Sequence, residues 1–222
     1  MSVRVKICCI ANPAEADLAV RAGAWALGLV AEMPSGPGPI PDEAIAEIIP
    51  GVPDGIETFL LTSRTDADAI IDHHHLCGTS ALQLVDDVPH DHLRKIRRQL
   101  PEIKLIQVIH VTGEASIDRA EAVSPWVDMV LLDSGKPLAA VKTLGGTGDT
   151  HDWRISREIV RRVACPVILA GGLNVDNVLT AISRVRPYGV DVCSGLRPNR
   201  RLNAERARAF CRAAGSAMPE RA

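Results

Sequence analysis

A thiol, two carboxylic acids and an ammonium are the side chains of this 222-residue chain whose placement invites chemistry. Cys8 lies in an alternating run in which Val3, Val5, Ile7 and Cys9 share one face and Arg4, Lys6 and Cys8 share the other. The first face suits packing against helices, with Cys9 as a small core residue, and the second points inward. Asp133 closes the apolar run Met129-Val130-Leu131-Leu132, where a carboxylate is costly to bury unless it is paired, protonated or functional. Asp191 stands in a further run, two residues before Cys193. Proton transfer to and from a reacting centre requires an acid and a base of adjusted pKa, and thiol and carboxyl are suitable types. Each also has an ordinary reading: Cys8 as an inert buried thiol, Asp133 as a cap at a strand exit, Asp191 as an acceptor for a neighbouring turn. Their convergence on one site is harder to dismiss than any one alone.

Two further stretches point to an anion. Pro166-Val167-Ile168-Leu169-Ala170 ends in Gly171-Gly172, and Tyr188-Gly189-Val190-Asp191-Val192-Cys193 ends in Ser194-Gly195. Each reads as a short buried strand followed by a turn nearly stripped of side chains, where backbone N–H groups can approach a phosphate. A pair of such turns suggests a phosphate cradle at Gly171, Gly172, Ser194 and Gly195.

These residues need elements that deliver them to one place. Apolar runs near 3–9, 25–31, 56–62, 80–85, 103–110, 127–133, 166–171 and 188–193 alternate with amphipathic stretches near 13–23, 41–49, 65–75, 89–100, 114–123, 153–163, 174–185 and 203–213. Eight strands each followed by a helix is the count of a (β/α)8 barrel, a TIM barrel, whereas a doubly wound sheet of this length would carry five or six. We expect one α/β domain over residues 1–222. In such barrels the strand ends nearest the helix N-termini carry the chemistry, and the loops after strands 7 and 8 commonly hold phosphate. Asn12-Pro13 fits an N-cap followed by a first-turn proline, Pro41 the first position of the second helix, and Asn174 a cap directly after the glycine pair. The connection 134–152 is far longer than an ordinary βα loop and is rich in glycine, which suggests a lid.

Composition excludes several classes. A formal charge of −2, with three Trp, two Phe and one Tyr, leaves neither a basic surface nor many rings for base stacking, so nucleic acid is not an expected partner. No apolar run reaches the ~20 residues of a membrane span, and no signal pattern precedes Val3, so no membrane is expected and the setting reads as cytoplasmic. The six cysteines include an adjacent pair and no C-x-x-C, which suits reduced thiols. His73-His74-His75 with Cys77 lacks a second ligand cluster in sequence and reads as a solvated helix end, with no metal.

With those residues in place, the chain resembles the phosphoribosylanthranilate isomerase family of tryptophan biosynthesis nearly end to end. Val5-Lys6-Ile7-Cys8 is similar to its V-K-I-C-G-I-T, and Ala22-Gly23-Ala24-Trp25-Ala26-Leu27-Gly28 to its A-G-A-D-A-x-G. Leu131-Leu132-Asp133-Ser134 and Gly145-Gly146-Thr147-Gly148 with Asp152-Trp153 resemble L-L-D-S and G-G-[ST]-G-x-x-x-D-W. The closing segments resemble L-A-G-G-L and R-P-x-G-V-D-V-S-S-G. The resemblance implies an Amadori rearrangement on a small phosphorylated sugar without cofactor or metal, by a monomer or homodimer. It makes Cys8 the base and Asp133 the acid. Asp191, Lys6, Gly146 and Thr147 would bind substrate, and Gly171, Gly172, Ser194 and Gly195 the phosphate.

The departures from the family cluster at one end. Its S-P-R after strand 2, whose arginine grips the anthranilate carboxylate, is here Pro34-Ser35-Gly36-Pro37-Gly38-Pro39, so another cation such as Arg197 or Lys136 would have to substitute. Q-L-H-G becomes Gln83-Leu84-Val85-Asp86, the glycine after the catalytic cysteine is Cys9, and the threonine is Ala11. Three readings follow: the family's reaction with a rearranged carboxylate clamp, a diverged isomerase of another phosphorylated sugar, or a catalytically silent barrel that binds a phosphorylated ligand.

Overall fold

The computed structural model describes residues 2–34, 36–135 and 151–217. Its strands are β1 (Arg4–Ile7), β2 (Ala26–Val30), β3 (Glu57–Thr62), β4 (Ala81–Leu84), β5 (Lys104–His110), β6 (Met129–Asp133), β7 (Val167–Leu169) and β8 (Gly189–Val192). All pair in parallel in chain order, and β1 closes on β8, so the barrel has no open edge. Between and after them run α1 (Pro13–Ala22), α2 (Asp42–Ile48), α3 (Ala67–Cys77), α4 (His90–Gln99), α5 (Ala115–Val123), α6 (Trp153–Arg162), α7 (Val178–Val185) and α8 (Ala204–Ser216). The expected (β/α)8 barrel is therefore what forms.

Local chemistry sets several boundaries. Asn12 accepts from the Glu15 amide and Pro13 opens α1, which ends at Gly23 in the left-handed region, φ 102°. Asp66 caps α3 through the Ala69 amide. Two expectations shift. Pro41 precedes the first helical residue, Asp42, instead of being it. Asn174 does not cap α7, which begins four residues later at Val178; its side chain accepts from the amides of Asp176 and Asn177 and shapes the turn leading there.

Apolar side chains fill two layers. Val5, Ile7, Leu27, Leu60 and their equivalents pack outward against the helices, while Ala26, Phe59, Ala81, Ile106, Met129 and Ile168 fill the barrel interior. Lys6 lies among the interior residues with its ammonium 5.5 Å from the Phe59 ring centre. At the bottom, the Arg4 guanidinium spans the rings of Trp25 and Tyr188, 4.9 and 5.1 Å away. No helix among the described residues is long and apolar enough to cross a membrane.

Candidate active site

Sheet closure creates the centre of the site. β1 and β8 align Lys6 with Asp191, and the Lys6 ammonium donates to Asp191 Oδ2 at 2.9 Å. Lys6 has no exposed surface and Asp191 is 7% exposed. Burial disfavours the ammonium, but the Asp191 carboxylate, helped by Cys8, more than offsets it and raises the Lys6 pKa. The second Asp191 oxygen, Oδ1, is buried with no partner among the described residues, and Asp191 lines the cavity at the barrel mouth. A buried acceptor left open in this way is available to a ligand.

Above this pair, the Cys8 amide donates to Val192 O at 2.9 Å, which seats the residue in the cavity wall. The neighbouring Cys9 thiol lowers the Cys8 pKa most, burial opposes it, and the Lys6 ammonium adds to the lowering. Gly28 on β2 makes room: a Cβ there would meet Cys8 Sγ at 2.7 Å and Lys6 Nζ at 3.0 Å. In the sequence Gly28 is the last residue of the Ala22–Gly28 motif, and nothing adjacent to it signals this packing role.

Asp133 lines the same cavity from the end of β6. Burial pushes its pKa up to about 6, the Ser134 amide, which donates to Oδ1 at 2.7 Å, pulls it back, and the Asp191 charge pushes the same way as burial. Acid and thiol are thus shifted in opposite directions around one space, the pattern of an acid–base pair.

The glycine turns complete the mouth. Gly171 and Gly172 have φ of 83° and 64°, in the left-handed region, and both line the cavity, as does Ser194. Gly195 lies behind them, where a Cβ would fall 2.1 Å from Leu173 O, so only glycine lets the β8 turn close on the β7 turn. Asn177 Nδ2 donates to Gly172 O at 2.9 Å and steadies the β7 side. Gly146 and Thr147, with most of the expected lid at 134–152, lie outside the described residues.

Several expectations are corrected. Lys6 is not in the cavity wall; it sits beneath it, bound to Asp191. Cys9 does not pack on the helix ring. β1 ends at Ile7, and Cys9 adopts φ 62°, which breaks the alternation and turns its side chain into the mouth against Pro37 and Gly38. Arg197 is occupied: its guanidinium bonds both Glu15 oxygens at 2.9 and 3.0 Å and Cys8 O at 3.1 Å, tying the segment after β8 to α1. Lys136 lies outside the described residues. His73 and His74 are buried, so α3 does not end in a solvated histidine cluster. All six cysteines are free. One wall residue was missed as a site: Gln83, 4% exposed, lines the cavity with Oε1 buried and unpartnered among the described residues. Its signal in the sequence was a polar side chain at an inward position of β4.

A closed parallel barrel that gathers a carboxyl group, a thiol and glycine turns at the C-terminal ends of its strands falls in the class of (β/α)8-barrel enzymes. The family model described as N-(5′-phosphoribosyl)anthranilate isomerase matches residues 5–210, and the chain belongs to that family. It is 35% identical over 198 residues to N-(5′-phosphoribosyl)anthranilate isomerase of Methanocella arvoryzae, covering 89% of this chain and 91% of that one. It is 39% identical over 196 residues to the Haloferax volcanii protein of the same name, covering 87% and 84%. The solved phosphoribosylanthranilate isomerase of Thermotoga maritima superposes with a TM-score of 0.82 at 31% identity, over 96% of this chain and 98% of that one.

Proposed function

We propose that this chain catalyses the Amadori rearrangement of N-(5′-phosphoribosyl)anthranilate to 1-(o-carboxyphenylamino)-1-deoxyribulose 5-phosphate in tryptophan biosynthesis, working in the cytoplasm as a monomer or homodimer. The observation that carries the reading is the opposite shift of Asp133 and Cys8 around one cavity. A neighbouring solved isomerase holds the reduced product analogue, which supports a phosphorylated sugar as ligand.

In this reading protonated Asp133 gives its proton to the ribose ring oxygen. The C1–O bond breaks, and the nitrogen lone pair forms the iminium. The Cys8 thiolate then removes the C2 proton; its electrons neutralise the iminium and leave an enolamine, which tautomerises to the ketone. Asp191 Oδ1 accepts from a substrate hydroxyl or the amine, while Lys6 acts through Asp191 and Cys8 without touching substrate. The amides around Gly171, Gly172, Ser194 and Gly195 receive the phosphate. Gly146 and Thr147 belong to the substrate-binding set by family resemblance.

One observation favours a second reading, an isomerase for a phosphorylated sugar amine lacking the carboxylate. Met33, Val30, Leu61, Val85 and Val108 form the apolar side of the cavity, and no Arg or Lys lines it among the described residues. Expression in a tryptophan auxotroph lacking the isomerase, with turnover assays on purified protein, separates the two. Growth and turnover are expected; folded protein that converts the aniline analogue but not the anthranilate substrate would establish the second reading instead.

A further inference from the structure

Away from the barrel mouth, two helices bring three potential metal ligands together. His73 and Cys77 lie four residues apart on α3 and so share one face, and Asp42 is the first residue of α2. The Asp42 carboxylate, the His73 ring and the Cys77 thiol each present a ligand atom, and these atoms all lie within 4.8 Å of one another. His73 Nε2 is 3.0 Å from Asp42 Oδ1. His73 is 3% exposed, Cys77 1%, and the Asp42 side chain 20%, so the group is shielded yet opens toward solvent on the Asp42 side.

We propose that Asp42, His73 and Cys77 form a zinc-type site that takes one borderline divalent cation, with water as fourth ligand. The donor set is one carboxylate, one imidazole and one thiolate, the mix that Zn²⁺ prefers over Mg²⁺ or Ca²⁺. With bond lengths of roughly 2.0–2.3 Å, a tetrahedral ion needs its ligands about 3.4 Å apart. The 3.0 Å pair must open slightly and the thiol, at most 4.8 Å from its partners, must close in by up to about 1.4 Å, which side-chain rotation supplies. Binding is balanced in charge: the thiol releases one proton to solvent, and carboxylate plus thiolate neutralise the dication.

The second partner of His73 fits this role. Nδ1 lies 3.2 Å from Thr62 Oγ1 at the end of β3, and that oxygen also accepts from the Arg64 amide at 3.2 Å. A hydroxyl can donate to Nδ1 or accept from it. The ring can therefore keep its proton on Nε2, facing Asp42, when the site is empty, or move it to Nδ1, facing Thr62, and offer the Nε2 lone pair to a metal. A hydroxyl or carbonyl behind a ligating imidazole orients the ring in this way in metal sites generally. The Arg64 guanidinium, 3.8 Å from Asp42 Oδ2 and 44% exposed, bonds Ala69 O on its other side and has room to swing outward as the cation arrives. A hydrogen bond from His73 to Asp42 would by itself explain those two residues; it does not explain a buried thiol converging on the same point.

Titration of metal-free, reduced full-length protein with Co²⁺, followed by displacement with Zn²⁺, tests the site. Expected are one Co²⁺ per chain, a near-ultraviolet thiolate-to-cobalt band, visible absorption of tetrahedral intensity, and loss of both on adding Zn²⁺. Cys77→Ser should abolish the thiolate band, and Asp42→Asn, which can still accept from His73, should weaken binding at least tenfold. Zn²⁺ should raise the Tm of the wild type by more than that of either variant. No thiolate band in the wild type overturns the proposal. So does a band that survives in Cys77→Ser, because it would arise from the thiols at the barrel mouth. If Cys77→Ser fails to fold, undiminished Co²⁺ affinity in Asp42→Asn overturns it equally.

Discussion

The two sides of the barrel mouth are made of different materials. The β7–β8 side is backbone: Gly171 and Gly172 in left-handed conformations, Ser194, and a Gly195 that leaves no space for a side chain against Leu173 O. The side formed by β2, β3 and β4 is side chain, with Val30, Met33, Leu61 and Val85 facing the cavity around Gln83. A dianion bound by amides and turn geometry tolerates few changes, since any Cβ displaces main chain. An aromatic group held by apolar side chains can be re-fitted one residue at a time. This contrast fits the placement of the departures from the family motifs: the glycines of both turns are kept, and most of the changes fall after β1, β2 and β4. Between the sides stand Asp133, Cys8 and the Lys6–Asp191 pair, which belong to neither.

The largest expected effect falls on this central group. Asp133→Asn should lower kcat by about 10²–10⁴-fold, as loss of a general acid does. The same change should stabilise the protein at neutral pH. Asp133 has a folded pKa raised to about 6 from 3.8, so the folded state favours its protonated form. The resulting cost is absent below pH ~4, develops as pH rises through the folded pKa, and is complete above it. Asn never ionises and avoids it, so the gain in Tm over wild type should appear between pH 4 and 7 and vanish at lower pH. A mere cap at a strand exit would lose stability at every pH.

Asp191→Asn should be the most destabilising single change at the mouth, by about 3–5 kcal/mol in denaturant unfolding, because it strands a fully buried ammonium. On the glycine side, Gly172→Val should raise KM at least tenfold with kcat nearly unchanged, since φ 64° and the loss of close approach both act on phosphate binding. On the apolar side, Met33→Arg supplies the guanidinium missing after β2. It should lower KM for the anthranilate substrate by about tenfold, equivalent to ~1.4 kcal/mol for one charge-assisted hydrogen bond, and leave the aniline analogue unaffected. Equal effects of Met33→Arg on both substrates would show that the two sides are not independent.

The sequence was legible where period and punctuation agreed. Alternation in Arg4–Ile7 placed Lys6 inward, and glycine pairs marked the turns after β7 and β8. It was misleading where one residue left its repeat. Cys9 was assigned by counting to the helix-facing side, but a positive φ just past β1 reverses it, and a thiol at that backbone conformation gives no warning. Arg197 looked like a free cation because its partner, Glu15, is 182 positions away. The Asp42–His73–Cys77 group was invisible for the same reason: its first member lies on a different helix. Gln83 showed the opposite failure, a visible residue whose open acceptor only the cavity reveals.

In the proposed reaction Cys8 is the base, its thiolate favoured by Cys9 and Lys6. Measuring kcat for Cys8→Ser, alongside wild type and with folding checked by circular dichroism, tests it most directly. Serine keeps size and polarity but cannot supply the anion near neutral pH. A fall in kcat of about 10²–10⁴-fold with KM little changed is expected. A folded Cys8→Ser protein that turns over phosphoribosylanthranilate at near wild-type kcat would contradict it.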